Sequence, residues 1–218
     1  MPDKFQLVLG TNNKKKRAEL VQLIGERNIH LFSLKDFPNV TEVDETGTTF
    51  AKNAELKAVG YALQTGQWVL AEDSGLSVRA LNGEPGVYSA RFSGPDATDE
   101  SNNDKLLKQM TDKSDRLAWY TCHIVISDPN GNVVAQAHSQ CHGQILGMRR
   151  GTAGFGYDPL FEIPEYDLTF AELGNSVKSV LSHRGRAYRK ILPELIAIAN
   201  ANSDSKRSPV QPAGERAV

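Results

Sequence analysis

The segment Trp68-Val69-Leu70-Ala71-Glu72-Asp73-Ser74-Gly75 joins an apolar run to two consecutive carboxylates. The apolar residues predict a buried strand, and we expect the two acids where that strand ends. Adjacent carboxylates are costly inside a protein unless a metal ion or another cation compensates their charge. A magnesium ion that carries a phosphorylated substrate is a common reason for such a pair. The segment therefore predicts a site at the end of a strand that binds a metal ion and a phosphate group.

The composition narrows the classes of function. The chain has 218 residues, of which 39% are hydrophobic and 23% charged, so it can form a packed core. Its formal net charge of −1 argues against a nucleic-acid or membrane-surface binder. Cys122 and Cys141 have no ligand-like spacing, and we expect reduced thiols of a cytoplasmic protein. No apolar run approaches the ~20 residues of a membrane span, and no signal peptide is expected.

Strand and helix patterns alternate along the chain, which predicts an α/β fold with a mixed sheet and flanking helices around a cleft. Strands are predicted at residues 5–9, 29–34, 68–70, 117–127 and 132–146, with a hairpin turn at 128–131. Residues 76–81 could continue as a strand or as a short helix. Helices are predicted at residues 14–26, 49–64, 99–110 and 186–202, the last of them kinked near Pro193. Residues 1–202 then form one domain, and residues 203–218, which are polar and unpatterned, form a disordered tail.

The segment Thr11-Asn12-Asn13-Lys14-Lys15-Lys16 follows the first strand and opens a helix. Backbone N–H groups and the positive end of a helix suit a phosphate, and the lysines add positive charge. The alternative is a capped helix with a solvated basic turn. Lysines at a helix N-terminus oppose the helix dipole, so their position has an energetic cost. A bound anion would offset that cost, and the pattern therefore favours anion binding. The spacing of a Walker phosphate-binding loop is missing.

Two acidic pairs, Asp44-Glu45 and Glu72-Asp73, lie in separate parts of the chain. An acidic pair in a loop is usually solvated, but Glu72-Asp73 directly follows an apolar strand. The two pairs together could supply the few carboxylates that magnesium uses, with phosphate oxygens and waters as its other ligands.

Two further segments favour recognition of a nucleobase. Gly154-Phe155-Gly156-Tyr157-Asp158-Pro159 combines glycines with aromatic rings that could stack on a base, and a structural turn is an equally good interpretation. Ser182-His183-Arg184-Gly185 offers hydrogen-bond donors to carbonyl groups, although such a pair is usually a surface feature. Lys57 and Lys178 are individually unremarkable, because most lysines are solvated.

Seven motifs in this order resemble those of the inosine triphosphate pyrophosphatase family, which acts on non-standard purine nucleoside triphosphates. The resemblance covers residues 5–200, and its specificity comes from the motifs occurring together. The motifs are Thr11-x-Asn13-x-x-Lys16, Glu45-Thr46-Gly47-x-x-Phe50, Asn53-Ala54-x-x-Lys57-Ala58, Glu72-Asp73-Ser74-Gly75-Leu76, Pro85-Gly86-Val87-Tyr88-Ser89-Ala90-Arg91, Phe155-Gly156-Tyr157-Asp158-Pro159, and Lys178-Ser179 with Ser182-His183-Arg184-Gly185.

The resemblance implies a long mixed sheet, two α/β lobes with a central active-site cleft, and a homodimer. It also implies a magnesium-dependent reaction in which ITP, dITP or XTP is hydrolysed to the monophosphate and pyrophosphate. Such an enzyme removes deaminated purines before polymerases use them.

The resemblance also implies roles for individual residues. The triphosphate would lie over Thr11, Asn13 and Lys16, with Lys57 as a further cation and Ser74 in contact with the substrate. Magnesium would bind Glu45, Glu72 and Asp73, and Asp73 would also act as the general base. The base would be held by the remaining motif residues, which are Phe155, Gly156, Tyr157, Asp158, Lys178, His183 and Arg184.

Two alternative functions stay open at this point. One is a magnesium-dependent pyrophosphohydrolase of another nucleoside triphosphate class, which substrate profiling would separate. The other is a nucleotide-binding module without catalysis, in which the acids Glu72-Asp73 would have no purpose.

Overall fold

The computed structural model describes residues 4–205, and within them seven strands form one mixed sheet in the order β2-β1-β3-β4-β5-β6-β7. The strands are β1 (Phe5–Leu9), β2 (Ile29–Ser33), β3 (Trp68–Val78), β4 (Leu117–Ser127), β5 (Val133–Ile145), β6 (Phe161–Ile163) and β7 (Leu168–Thr169). β1 is parallel to both β2 and β3, and every later pairing is antiparallel.

Five α-helices flank this sheet in the described part of the chain. They are α1 (Lys14–Ile24), α2 (Phe50–Thr65), α3 (Asp99–Gln109), α4 (Phe170–Leu181) and α5 (His183–Ser205). Four of them begin at residues whose side chains accept hydrogen bonds from the first turn, as helix caps do, namely Asn13, Thr49, Thr98 and Thr169. None of the described helices is long and apolar enough to cross a membrane.

The α/β class, the mixed sheet and most predicted elements are confirmed, but β3 does not end at its acids. It continues to Val78 because β4 pairs with it along its length, from Val69 opposite Ser127 to Val78 opposite Ala118. The strand that ends is β1, whose last pair places Leu9 beside Leu70. Glu72 and Asp73 therefore lie where β3 has lost its neighbour on one side.

The C-terminal region also differs from the prediction. α5 begins at His183 rather than at residue 186, continues through Pro193 and extends to Ser205. Residues 203–205 are thus helical rather than part of a tail, and residues 206–218 lie outside the described residues. The patterns did not predict α4 or the short strands β6 and β7.

Alternation along β3 assigns its side chains to two faces of the sheet. Val69 and Ala71 pack with α2, and Asp73 contacts that same helix. Leu70 faces the opposite side, in a core that α1 and α5 cover. Leu76 continues on that side into a second core, which includes residues of α3 and α4.

Buried polar residues separate these two cores on the α5 side of the sheet. Glu72 and Ser74 lie between Leu70 and Leu76 on β3, and Arg184 at the start of α5 covers them. The charges of Glu72 and Arg184 are thus buried at the boundary between the two cores.

Candidate active site

The candidate site lies beyond the carboxyl end of β1, where α1 begins. The Gly10 N–H donates to Leu70 O at 2.9 Å, which is the last link of β1 to β3. The Asn13 side chain then caps α1 by accepting from the Lys15 and Lys16 N–H groups at 3.0 and 3.1 Å. Thr11 Oγ1 accepts from the Asn13 N–H at 3.2 Å. Ligands of open α/β sheets commonly bind at this position, outside the carboxyl ends of parallel strands.

On the α2 side, one lysine joins two of the predicted acids. Lys57 Nζ lies 2.9 Å from Glu45 Oε2 and 3.0 Å from Asp73 Oδ1. Asn53 Nδ2 donates to Asp73 Oδ2 at 3.3 Å, and Asn53 Oδ1 accepts from the Gly47 N–H at 2.8 Å. Through Lys57 and Asn53, α2 thus brings Glu45 and Asp73 together in one cluster of polar side chains.

The two carboxyls of this cluster differ in acidity. Burial raises the pKa of Asp73 above its usual value, although the nearby Lys57 ammonium opposes the effect. Glu45 is closer to solvent, so Lys57 outweighs the effect of burial and the pKa of Glu45 is lowered. Relative to their ordinary values, the cluster thus strengthens Asp73 as a base and weakens Glu45.

Glu72 has a different environment on the opposite face of β3. Its two carboxylate oxygens accept from Arg184 at 2.8 and 2.9 Å, and Cys122 Sγ lies 3.2 Å from Oε2. Lys16 Nζ is 3.5 Å from Oε1. Burial favours the neutral acid, but Arg184 and Lys16 outweigh it and hold the pKa of Glu72 far below its usual range.

The structure does not bring the three predicted magnesium ligands together. Glu45 and Asp73 converge on Lys57, whereas Glu72 points away from them because successive side chains of a strand alternate. In the described part of the chain, no group of three or more His, Cys, Asp or Glu residues is arranged to hold a metal ion. Two hard oxygen donors that converge on one cation do fit magnesium, which completes its ligands with phosphates and water.

The predicted base-recognition residues meet in one cleft of about 600 Å³ that includes its open mouth. The cleft is lined by the cap residue Asn13 and by Ser74 of β3, so it adjoins the start of α1. The other site residues predicted from the sequence that line this cleft are Lys16, Phe155, Gly156, Tyr157, Asp158, Lys178, His183 and Arg184.

Phe155 is surrounded by positive charge. Lys178 Nζ lies 4.3 Å from the centre of its ring, and the Arg184 guanidinium carbon lies at 5.7 Å. Lys178 in turn donates to Asp158 Oδ2 at 2.6 Å, and the Phe155 N–H donates to the same oxygen at 2.9 Å. Asp158 thus fixes the position of the aromatic ring and of the lysine above it.

His183 forms one wall of the cleft as a neutral imidazole. Its ring stacks on Tyr120 at 4.6 Å with an interplanar angle of 7°. Burial, with a smaller contribution from Arg184, lowers the pKa of His183 well below its usual value. Its Nδ1 atom is buried and has no hydrogen-bond partner among the described residues.

Arg184 organises the site rather than extending into it. Its guanidinium donates to Glu72, to Glu19 and, at 3.0 Å, to Ser74. These contacts occupy most of its N–H groups, so the prediction that it donates to the base is weaker than the corresponding prediction for His183. Burial lowers the pKa of Arg184, but Glu72 and Glu19 outweigh it and raise the pKa further above its usual value.

Three residues of the site were missed at the sequence level. Glu19 forms an ion pair with Lys178 at 3.1 Å and accepts a hydrogen bond from Arg184, so it links α1 to α4 and α5. Its position one turn after Lys15 and Lys16 could have indicated an inward-facing acid. Tyr120 and Asn53 gave no indication, because a tyrosine in a strand and an asparagine in a helix have many uses.

Known proteins resemble this chain over most of its length. A profile of the Ham1 family matches residues 7–194. A dITP/XTP pyrophosphatase of Rhodopirellula baltica is 51% identical over 203 residues, which are 92% of this chain and 98% of that protein. A dITP/XTP pyrophosphatase of Desulforamulus reducens is 48% identical over 86% of this chain and 94% of its own length.

Solved structures give the same result. A HAM1 protein from Coxiella burnetii has a TM-score of 0.82 and 38% identity, and the match covers 88% of this chain and 99% of that one. A nucleoside-triphosphatase described as a dITP/XTP pyrophosphatase from Mycobacterium abscessus has a TM-score of 0.72 and 39% identity, over 87% of this chain and all of the other. By sequence and by fold, this chain belongs to the Ham1 family.

Proposed function

We propose that this protein hydrolyses ITP, dITP and XTP to the monophosphate and pyrophosphate, and so removes deaminated purines from the nucleotide pool. The relatives named dITP/XTP pyrophosphatase match it over most of its length. The observation that carries the proposal is a juxtaposition at the carboxyl end of β1. The cleft opens there at Ser74, next in sequence to a buried acid, Asp73, that is paired with Lys57.

The start of α1 binds the phosphates in this proposal. Thr11 and Asn13 order the turn, and Lys16 adds a positive charge on the cleft side. Free N–H groups at a helix start and nearby lysines stabilise phosphate oxygens. Lys57 provides a further cation, which stabilises negative charge as the link between the α and β phosphates breaks.

Asp73 acts as the general base. It takes a proton from the attacking water, and pyrophosphate leaves from the nucleoside monophosphate. Because burial raises the pKa of Asp73, its carboxylate accepts a proton more readily than an exposed aspartate does. Asn53 and Lys57 hold its two oxygens in place.

Glu45 and Asp73 are the residues that we propose to hold Mg²⁺. When bound, the ion neutralises charge on the phosphate oxygens. Glu72 is left out of this set because both of its oxygens are bound to Arg184 on the other face of β3. Calorimetric titration of Mg²⁺ with substrate-free protein should lose its signal in Glu45→Gln but keep it in Glu55→Gln, which changes an exposed acid on α2.

Base selection depends on the wall formed by His183. His183 and Lys178 both line the cleft, and we propose that an imidazole N–H and the lysine ammonium donate to a purine 6-keto group. A 6-amino group at that position would leave these buried groups unpaired, which disfavours ATP. Phe155 supplies an aromatic surface for the base.

We further propose that the protein is a cytoplasmic homodimer, as the resemblance implies. Light scattering coupled to size exclusion should give twice the mass of 23.9 kDa. Cell fractionation should recover the protein with other cytoplasmic enzymes. A mass of one chain would contradict the dimer.

The reaction is tested by product analysis. ITP, dITP, XTP, GTP, ATP and a pyrimidine triphosphate are incubated with the protein and Mg²⁺, and the products are separated by ion exchange. We expect pyrophosphate and the monophosphate from the first three substrates. Orthophosphate in place of pyrophosphate would contradict the cleavage position, and equal turnover of all six would contradict purine selection. Binding without turnover would indicate the module without catalysis.

A further inference from the structure

The first turns of α3 carry a buried amide that points to the base-recognition segment. Asn103 is only 3% exposed, and its Nδ2 donates to the Gly156 carbonyl at 2.8 Å. The same Nδ2 donates to the Asp99 carbonyl of its own helix at 2.7 Å. Asn103 is not among the residues that line the cleft. A buried amide is costly unless it is hydrogen-bonded, so this contact has a structural purpose.

The partner of Asn103 is the central residue of that segment. Gly156 follows Phe155 and has a φ of +63°, which side-chain-bearing residues rarely adopt. The Gly156 N–H approaches the Asp99 carboxylate, which is ion-paired with Lys15 of α1 at 2.7 Å. α3 therefore hydrogen-bonds the Gly156 carbonyl and places the Asp99 carboxylate near the Gly156 N–H.

We propose that Asn103 is a positioning residue that fixes residues 155–158 through the Gly156 carbonyl and thereby sets the discrimination between 6-keto and 6-amino purines. The inference rests on the proposed function and deepens it. Phe155 and Asp158 flank the fixed carbonyl, and Asp158 holds Lys178 over the Phe155 ring. A shift of Gly156 would therefore move the aromatic surface and a polar group of the cleft together.

The residues proposed to carry out hydrolysis do not take part in the contact between Asn103 and Gly156. Asp73 and Lys57 belong to β3 and α2, on the opposite face of the sheet from the cores around α3. A disturbed Gly156 should thus weaken base binding while the hydrolytic step keeps its geometry. The expected kinetic result is a change in KM with little change in kcat.

The test compares three variants. Asn103→Asp keeps the shape but removes the donor, and Asn103→Leu removes both polar atoms in case the buried charge prevents folding. Leu107→Ala is the control, because it loosens the apolar packing of the same helix without touching Gly156. We expect both Asn103 variants to raise KM for dITP about tenfold, as the loss of one buried hydrogen bond would. Their dITP-to-dATP ratio of kcat/KM should fall, while Leu107→Ala should keep the wild-type ratio.

Amide hydrogen exchange gives a second measurement that does not depend on turnover. Peptides that cover residues 154–158 should exchange faster in both Asn103 variants than in Leu107→Ala. If exchange there is unchanged, or if Leu107→Ala lowers the ratio equally, the positioning role is wrong. If wild-type protein releases no pyrophosphate, the proposed function fails, and the exchange result still decides whether Asn103 holds the segment.

Discussion

At the scale of single residues, Glu72 and Asp73 are neighbours in sequence with opposite properties. Glu72 lies against Arg184, which lowers its pKa, whereas burial raises the pKa of Asp73. The sequence predicted a charged pair near cations but could not assign the partners. That assignment depends on which face of β3 each side chain takes, and hence on the register with β4.

Asp73→Asn should lower kcat for dITP by at least about 100-fold, because an amide cannot accept the proton of the attacking water. The fold should persist, since Lys57 keeps Glu45 as a partner. Asp112→Asn, at an exposed position, is the matched control. Steady-state kinetics with a thermal melt of each variant provide the measurement, and a near-normal kcat in Asp73→Asn would exclude an essential base.

Glu72→Gln should destabilise the fold by about 3 kcal/mol at pH 7, because it leaves the buried Arg184 short of a charged partner. The pKa of Glu72 is lower in the folded than in the unfolded state, so its ionisation contributes stability above about pH 4.3, the unfolded value. That contribution is lost as the pH falls below this value.

Urea unfolding at pH 7 and pH 3.5 would measure this effect. The difference between wild type and Glu72→Gln should narrow at the lower pH. Glu55→Gln, which removes an exposed ion pair with Lys52, should stay within about 0.5 kcal/mol of wild type. An equal difference at both pH values would contradict the lowered pKa.

At the scale of elements, local patterns predicted most strand and helix ends to within a few residues, and they failed where an end depends on distant contacts. Thr49 and Gly66 bound α2 close to the predicted range of 49–64, because a cap and a left-handed glycine act locally. The end of β3 was wrong, since its length is set by pairing with a distant strand. α4 was missed because it includes Gly174, which interrupts the helical conformation.

Gly185→Ala should disturb the junction of α4 and α5. A Cβ at this position would collide with the Ser179 carbonyl of α4. We expect a loss of about 1–3 kcal/mol in stability, as for other overpacked sites, and a raised KM because His183 and Arg184 begin α5. Gly147→Ala, where an added Cβ meets nothing within 4 Å, should have little effect on either quantity. Urea unfolding and KM for dITP provide the test, and wild-type values in Gly185→Ala would show that the helices can separate without cost.

At the scale of the whole molecule, one sheet connects every part of the site. The motifs identified most of the residues that line the cleft, because five of the seven motifs contribute lining residues. Their arrangement could not be predicted, since Glu19, Glu72 and Arg184 meet across more than 100 residues of sequence. The two-lobed description stays a prediction, whereas the continuous sheet indicates a single unit.

A single folding unit predicts coincident unfolding from different reporters. Trp68 on β3 packs against the core under α1 and α5, and Trp119 lies on β4 near His142. These are the only two tryptophans of the chain, so Trp68→Phe and Trp119→Phe each leave one reporter. Fluorescence and circular dichroism should give the same urea midpoint within each variant. Separate midpoints would indicate that the chain contains two independent units.

The alternation of β3 has a consequence for how such an enzyme changes over time. Because the strand lies between Asp73, the proposed base, and His183, in the proposed wall of the base cleft, we expect a substitution on one side to leave the other side unchanged. Substitutions around His183 are therefore expected to change which nucleotide is hydrolysed without changing the residues around Asp73. By separating these two groups of residues, β3 would allow substrate selectivity and the rate of hydrolysis to evolve independently.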